Sequence, residues 1–123
     1  MMEQYKVVIT SKAHFDIAEI VSFLINVSEK AAVEVANNIY DSIKSLSTFP
    51  ERNPLFPFPG IGFKMRKLFV MKRYIVIYAI LDNDVVVYRV LDARKNFEGL
   101  LWFLKGAIYW RPFLFNKLNT IFY

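Results

Sequence analysis

The stretch that decides the fold is Tyr74-Ile75-Val76-Ile77-Tyr78-Ala79-Ile80-Leu81, followed by Asp82-Asn83 and then Asp84-Val85-Val86-Val87-Tyr88-Arg89-Val90-Leu91. Two runs of β-branched and aromatic residues with an Asp-Asn pair between them read as antiparallel strands over 74–81 and 85–91, joined by a tight turn. Just upstream, 63–71 is a third run of the same kind, with Lys72-Arg73 at its turn, so 63–91 predicts a three-stranded meander.

Moving toward the N-terminus, the periodicity changes. Pro50, Pro54, Pro57, Pro59, Gly60 and Gly62 mark a loop before the meander. Ahead of it, Ala32, Val35, Ala36, Ile39, Ile43 and Leu46 recur at three-and-four spacing, one stripe of a helix that Ser28 caps and Phe49-Pro50 ends. Ile17, Ile20, Val21, Leu24 and Val27 form an earlier stripe behind Ser11 as N-cap, with Asp16 and Glu19 turned away from it. Few residues separate the two helices, so they predict an antiparallel hairpin. Tyr5-Lys6-Val7-Val8-Ile9-Thr10 reads as a first strand. The order strand, two helices, three strands gives an α+β domain, a helical hairpin packed on one face of a small twisted antiparallel sheet, with a short closing helix expected over 93–105. The tail over 106–123 is rich in aromatic residues without a clean period, and is read as an extension of the 1–105 domain that either folds back as core or stays exposed for docking.

Composition narrows the chemistry. At 123 residues the chain fits one domain. It contains no cysteine and a single histidine, His14, so thiolate metal centres, thiol nucleophiles, disulfides and multi-histidine metal sites are excluded, and a reducing cytoplasm is the expected home. The chain is 55% hydrophobic, yet Glu98, Lys105, Arg111, Pro112 and Lys117 interrupt its most apolar stretch, so no membrane span is expected and the apolar excess points to a protein partner. The N-terminal residues show no secretory signal pattern. Charge is uneven: residues 1–51 carry four Lys or Arg against seven Asp or Glu, whereas 52–123 carry twelve against four. Such a basic half suits nucleic acid, an acidic protein or a phosphate-rich surface.

The fragments Tyr5 to Ser11, Phe49-Pro50-Glu51-Arg52, Arg66-Lys67-Leu68, Tyr74-Ile75-Val76-Ile77-Tyr78 and Val90-Leu91-Asp92-Ala93-Arg94, in this order and spacing, resemble the RelE/ParE superfamily of toxin–antitoxin and plasmid-stabilisation toxins over about residues 5 to 102. The long hairpin and the Phe-Pro-Glu-Arg fragment look like the ParE branch. That resemblance implies a toxin of a type II module that inhibits DNA gyrase by binding and so blocks replication, without catalysis of its own. The RelE branch would instead imply a ribosome-dependent mRNA endonuclease. Either branch implies a cognate antitoxin, acidic and folding as it binds, in a toxin–antitoxin hetero-oligomer. Asp92 stands where ParE-like chains more often carry His, Asn96 where they often carry Asp, and the family usually ends near residue 100.

Lys64, Arg66, Lys67, Arg73, Arg89 and Arg94 are the expected target-binding cations. In the RelE-like reading Lys64, Arg66, Arg89 and Arg94 would hold the scissile phosphate, but no residue stands out as the base that activates a 2′-hydroxyl, so no catalytic residue is assigned. Without the resemblance, the same cations read as a solvated sheet edge that deters aggregation. Arg89 interrupts an apolar strand and must therefore point out of the core or find a carboxylate, with Asp92 or Asp82 as the expected partner. His14 reads as structural, and Tyr74, Tyr78 and Tyr88 as packing. No phosphate-binding glycine loop, HExxH, Walker or GxSxG pattern occurs, so neither a cofactor nor a metal is expected.

Overall fold

The computed structural model describes residues 4–56, 64–94 and 120–122. Strand β1 (Lys6–Thr10) leads into helices α1 (Ser11–Ile25) and α2 (Glu29–Lys44), then strands β2 (Leu55–Phe56), β3 (Met65–Val70), β4 (Tyr74–Leu81), β5 (Asp84–Asp92) and β6 (Thr120–Phe122). The sheet order is β2-β3-β4-β5-β1-β6.

Local chemistry explains the boundaries. Thr10, not Ser11, caps α1: its hydroxyl accepts from the Ala13 N–H at 3.1 Å while its backbone is still extended. An N-cap must have non-helical dihedrals, and the residue leaving a strand meets that condition. Ser28 caps α2 as expected, accepting from the Ala31 N–H at 3.2 Å, with Glu29 in the favourable first turn. Helix α2 stops at Lys44, earlier than the proline implied, and Ser45–Ser47 tighten into a 3-10 turn. Arg52 stabilises that end by donating to the Ser45, Thr48 and Phe49 carbonyls, satisfying acceptors that a helix terminus leaves open. Phe49 itself lies in the left-handed region, with φ 50°.

The meander forms as the sequence implied: β4 keeps the expected bounds, β3 is shorter, and β5 is longer by one residue at each end. Its first turn uses Met71 and Lys72 at positive φ, and the second uses Asp82. The first strand pairs parallel with β5, Val7 opposite Val85 and Ile9 opposite Val87, which makes an otherwise antiparallel sheet mixed. β6, from the aromatic tail, pairs antiparallel with the other side of β1 through Val8 opposite Phe122. The rest of the tail and the closing helix expected over 93–105 lie outside the described residues, except Ala93 and Arg94, which form a turn.

The helical hairpin packs its stripe on one face of the sheet. Ile17, Ile39, Ile43 and Leu46 meet Ile9, Val76, Tyr78 and Val87 there, and all eight are at most 2% exposed. Each such aliphatic side chain contributes roughly 1.5–3 kcal/mol relative to exposure. Val27, which the periodicity placed on this stripe, is instead exposed in the turn after α1. The opposite face carries a second buried cluster that includes Val8, Met65, Ile75, Ile77, Val86 and Leu91. The near-continuous burial of β5 therefore reflects a sheet enclosed on both faces.

Candidate functional site

The expected cations divide into two groups along the sheet. Arg66 pairs with Tyr78, and Val70, four residues on, pairs with Tyr74 at the β3–β4 turn. At ~3.3 Å per residue, four residues separate the two ends by about 13 Å.

At the Arg66 end the cation holds backbone together. Its Nη1 donates to the carbonyls of Glu51 at 3.1 Å and Asn53 at 2.7 Å, and the buried Tyr78 hydroxyl donates to the Pro50 carbonyl at 2.6 Å. Asn53 Nδ2 donates to that same hydroxyl at 3.1 Å. Burial pushes the Tyr78 phenol above its ordinary pKa, so it stays a neutral donor. Lys64 is exposed beside this network, while Lys67 takes the opposite face from Arg66 and lies over the Phe69 ring at 5.6 Å.

At the other end Arg73, Arg89 and Arg94 meet. They line a cleft of about 290 Å³ between α1 and the ends of β4 and β5, with Asp16, Glu19, Phe23, Leu24, Tyr74 and Asp92 among its other walls. At the base of the cleft, Arg89 is buried and donates through Nε to Asp16 Oδ2 at 2.6 Å and through Nη2 to Asp16 Oδ1 at 3.0 Å. The Val90 N–H also donates to Asp16 at 3.0 Å. The partner of Arg89 is thus neither Asp92 nor Asp82. Asp16, expected to face away from the core, is 5% exposed and sits inside it.

Strand alternation accounts for this placement, since Arg89 lies two residues beyond Val87 on the face that meets the hairpin, next to a bulge in the β4–β5 pairing. Ile77 faces Arg89 and Tyr78 faces Val87, leaving Tyr88 as the extra residue. A bulge bends its strand and re-aims the neighbouring side chain. On α1, Asp16 follows Ala13 by three residues and precedes Ile20 by four, so a helical-wheel reading places it on the apolar stripe. That acid within the stripe was the overlooked signal.

On the rim, Arg94 is 61% exposed and folds back on Asp92. Its Nε and Nη2 donate to the two carboxylate oxygens at 3.2 and 3.0 Å, and its backbone N–H to Oδ1 at 2.9 Å. Partial burial opposes ionisation of Asp92, but these bonds and the charges of Arg94 and Arg73 outweigh it and hold its pKa below the ordinary carboxylate value. Arg73 lies over the Tyr74 ring at 5.3 Å, a cation–π distance, and burial raises the pKa of that phenol.

Outside the cleft, His14 Nδ1 meets the Tyr40 hydroxyl at 2.8 Å and ties α1 to α2. Burial lowers its pKa. Phe15, Phe23, Ile25 and Val33 are exposed on the hairpin by 53–64%, the apolar surface that the composition implied. No cluster among the described residues could hold a metal ion, and no described helix is long and apolar enough to cross a membrane.

The chain is similar in fold to a solved structure described as a chromosomal ParDE TA system from P. aeruginosa, at 13% identity, over 72% of this chain and 96% of that one, with a TM-score of 0.60. Among curated proteins, none matches it. The family model for the ParE toxin of the type II toxin–antitoxin system parDE matches residues 7–97, from β1 through the cleft and its Asp92–Arg94 rim, and the chain therefore belongs to the ParE toxin family.

Proposed function

We propose that this toxin inhibits DNA gyrase by binding and so blocks replication in the cytoplasm, and that an acidic antitoxin segment, folding as it binds, holds it in check. Membership of the ParE family supports a toxin with a cognate antitoxin. The observation that carries the non-catalytic reading is the occupation of the cations. Arg89 is consumed by a buried ion pair and Arg66 by two carbonyls, while Arg94, though held by Asp92, stays exposed on the rim. A phosphate-cleaving constellation needs its cations converged on one point and aimed at developing charge. Here Arg66 stands about 13 Å of strand from the Arg73 end, a spread that suits a binding surface better. On this reading Lys64, Lys67, Arg73 and Arg94 are the contact residues, and 106–123 is an extension to a toxin domain over 1–105.

Induced expression in a bacterial host, with DNA and protein synthesis followed separately by pulse labelling, tests the proposal. Early loss of DNA synthesis, with loss of supercoiling activity when the purified chain is added to gyrase, is the expected result. Early loss of protein synthesis with DNA synthesis intact overturns it in favour of mRNA cleavage, and growth without effect on either overturns it outright.

A further inference from the structure

We propose that the outer edge of β3 is a strand-addition site, on which the protein target of this toxin lays an extended segment with carboxylates at alternate positions. The inference rests on the reading of the chain as a toxin that acts by binding a protein, and it places that contact on the backbone of the sheet edge, away from the arginine cleft.

The pairing of β3 is incomplete on one side. β4 runs beside it from Arg66 to Val70, but on the other side β2 reaches only Met65 and Arg66, and the Lys67 N–H donates to the Pro54 carbonyl there at 3.1 Å. Backbone groups alternate between the two edges of a strand, so Phe69, two residues beyond Lys67, directs its N–H and C=O to the same outer side. Among the described residues no strand pairs with it there. Side chains do not close the gap, since Phe69 is 52% and Met71 44% exposed. An edge that presents a donor and an acceptor beside an exposed ring is a template for one more strand.

Charge selects the occupant. Lys64, Arg66, Lys67, Lys72 and Arg73 lie on β3 or next to its ends, and no Asp or Glu occurs between Arg52 and Leu81. Asp92, opposite Tyr74 and two strands in from this edge, is taken by Arg94. A second copy of this chain is the wrong partner: antiparallel pairing about Phe69 sets Arg66 of each copy opposite Lys72 of the other, and like charges directly opposite destabilise a sheet. Nucleic-acid phosphates only accept hydrogen bonds, so they leave the Phe69 carbonyl unmatched. A peptide strand supplies both a donor and an acceptor. Its side chains on the Phe69 face cover the ring and bring a carboxylate to Lys67, which lies over that ring at 5.6 Å.

The test uses the full chain, isotope-labelled for NMR, and the capped peptide acetyl-Glu-Val-Glu-Val-Glu-amide. Its Gln counterpart and a fully N-methylated form, which keeps the charge but has no strand donors, serve as controls. The Glu peptide is expected to shift the Phe69 amide signal more than that of Leu68, whose N–H faces β4. The Gln peptide should bind more weakly by roughly two- to fivefold, the range an exposed ion pair spans, and the N-methylated form should leave Phe69 unmoved. An excess of the Glu peptide should relieve inhibition of purified gyrase, and the same excess of the N-methylated form should not. Equal binding of the Glu and Gln peptides, an N-methylated form that binds as well, absence of binding, or an oligothymidylate that moves the Phe69 amide further than the Glu peptide overturns the proposal. Gyrase inhibition that the Glu peptide does not relieve defeats this inference and leaves the proposed function standing. A Phe69 amide that responds as expected in a chain without effect on gyrase or DNA synthesis defeats the proposed function alone.

Discussion

Asp16 and Arg89 lie 73 residues apart in the chain and join at 2.6 and 3.0 Å, coupling the first turns of α1 to the middle of β5. Asp16 also accepts the Val90 N–H, so one carboxylate satisfies a buried cation and a strand amide beside the bulge. The pair sits at the floor of the cleft, and the walls above it depend on α1 staying seated there.

Removing one partner strands the other charge in the core. Asp16→Ala should therefore cost about 3–5 kcal/mol of unfolding free energy in urea titration, the range for breaking a buried pair. Asp16→Leu combined with Arg89→Met should cost much less than either single change, because no charge is left uncompensated. Equal losses in the single and double variants would show that the pair does not act as a unit.

The Tyr78 hydroxyl makes a similar long-range tie, to the Pro50 carbonyl across 28 residues. Tyr78→Phe keeps the ring in the core but leaves that carbonyl and Asn53 without their partner. A loss of about 1–3 kcal/mol is expected, with faster proteolysis near 50–53 than in the parent chain. Unchanged stability would mean that water replaces the hydroxyl at no cost.

Stability should also fall in mildly acidic solution. Burial lowers the folded-state pKa of His14, so between that value and the ordinary 6.5 the unfolded chain binds the proton more readily. The contribution is complete above pH 6.5 and diminishes as pH drops below it. Melting temperature should decline from pH 7 to 5.5, and His14→Gln should flatten that slope. An identical slope in the variant would place the titration elsewhere.

β6 covers the outer edge of β1 with three residues. Deleting residues 120–123 should speed hydrogen exchange at the β1 amides that face β6, while those that face β5 stay protected. Uniform protection in the shortened chain would show that the β6 pairing contributes nothing to β1.

Much of the fold was legible because its causes are local. The Asp82-Asn83 turn, the Ser28 cap and the three-and-four spacing from Ala32 to Ile43 act over a few residues, and each appears where the sequence placed it. The errors were also local. Thr10 replaced Ser11 as cap because extended dihedrals, not merely a hydroxyl, define that position. Val27 was assigned to a stripe whose helix had already ended at Ile25.

The sequence alone thus determined β1, the two helices and the three meander strands, their order, the basic second half and the family resemblance, since propensity, capping and hydrophobic period are set by near neighbours; β2 and β6 lay in its loop and its unassigned tail. Only the tertiary structure decided how the charges pair. Arg89 chose Asp16 rather than Asp92 or Asp82, Arg94 took Asp92, and Arg66 turned to backbone carbonyls. The reason is physical: a buried charge takes the opposite charge that packing delivers to it. Here packing of α1 against a bulged β5 brought together groups that no local pattern connects.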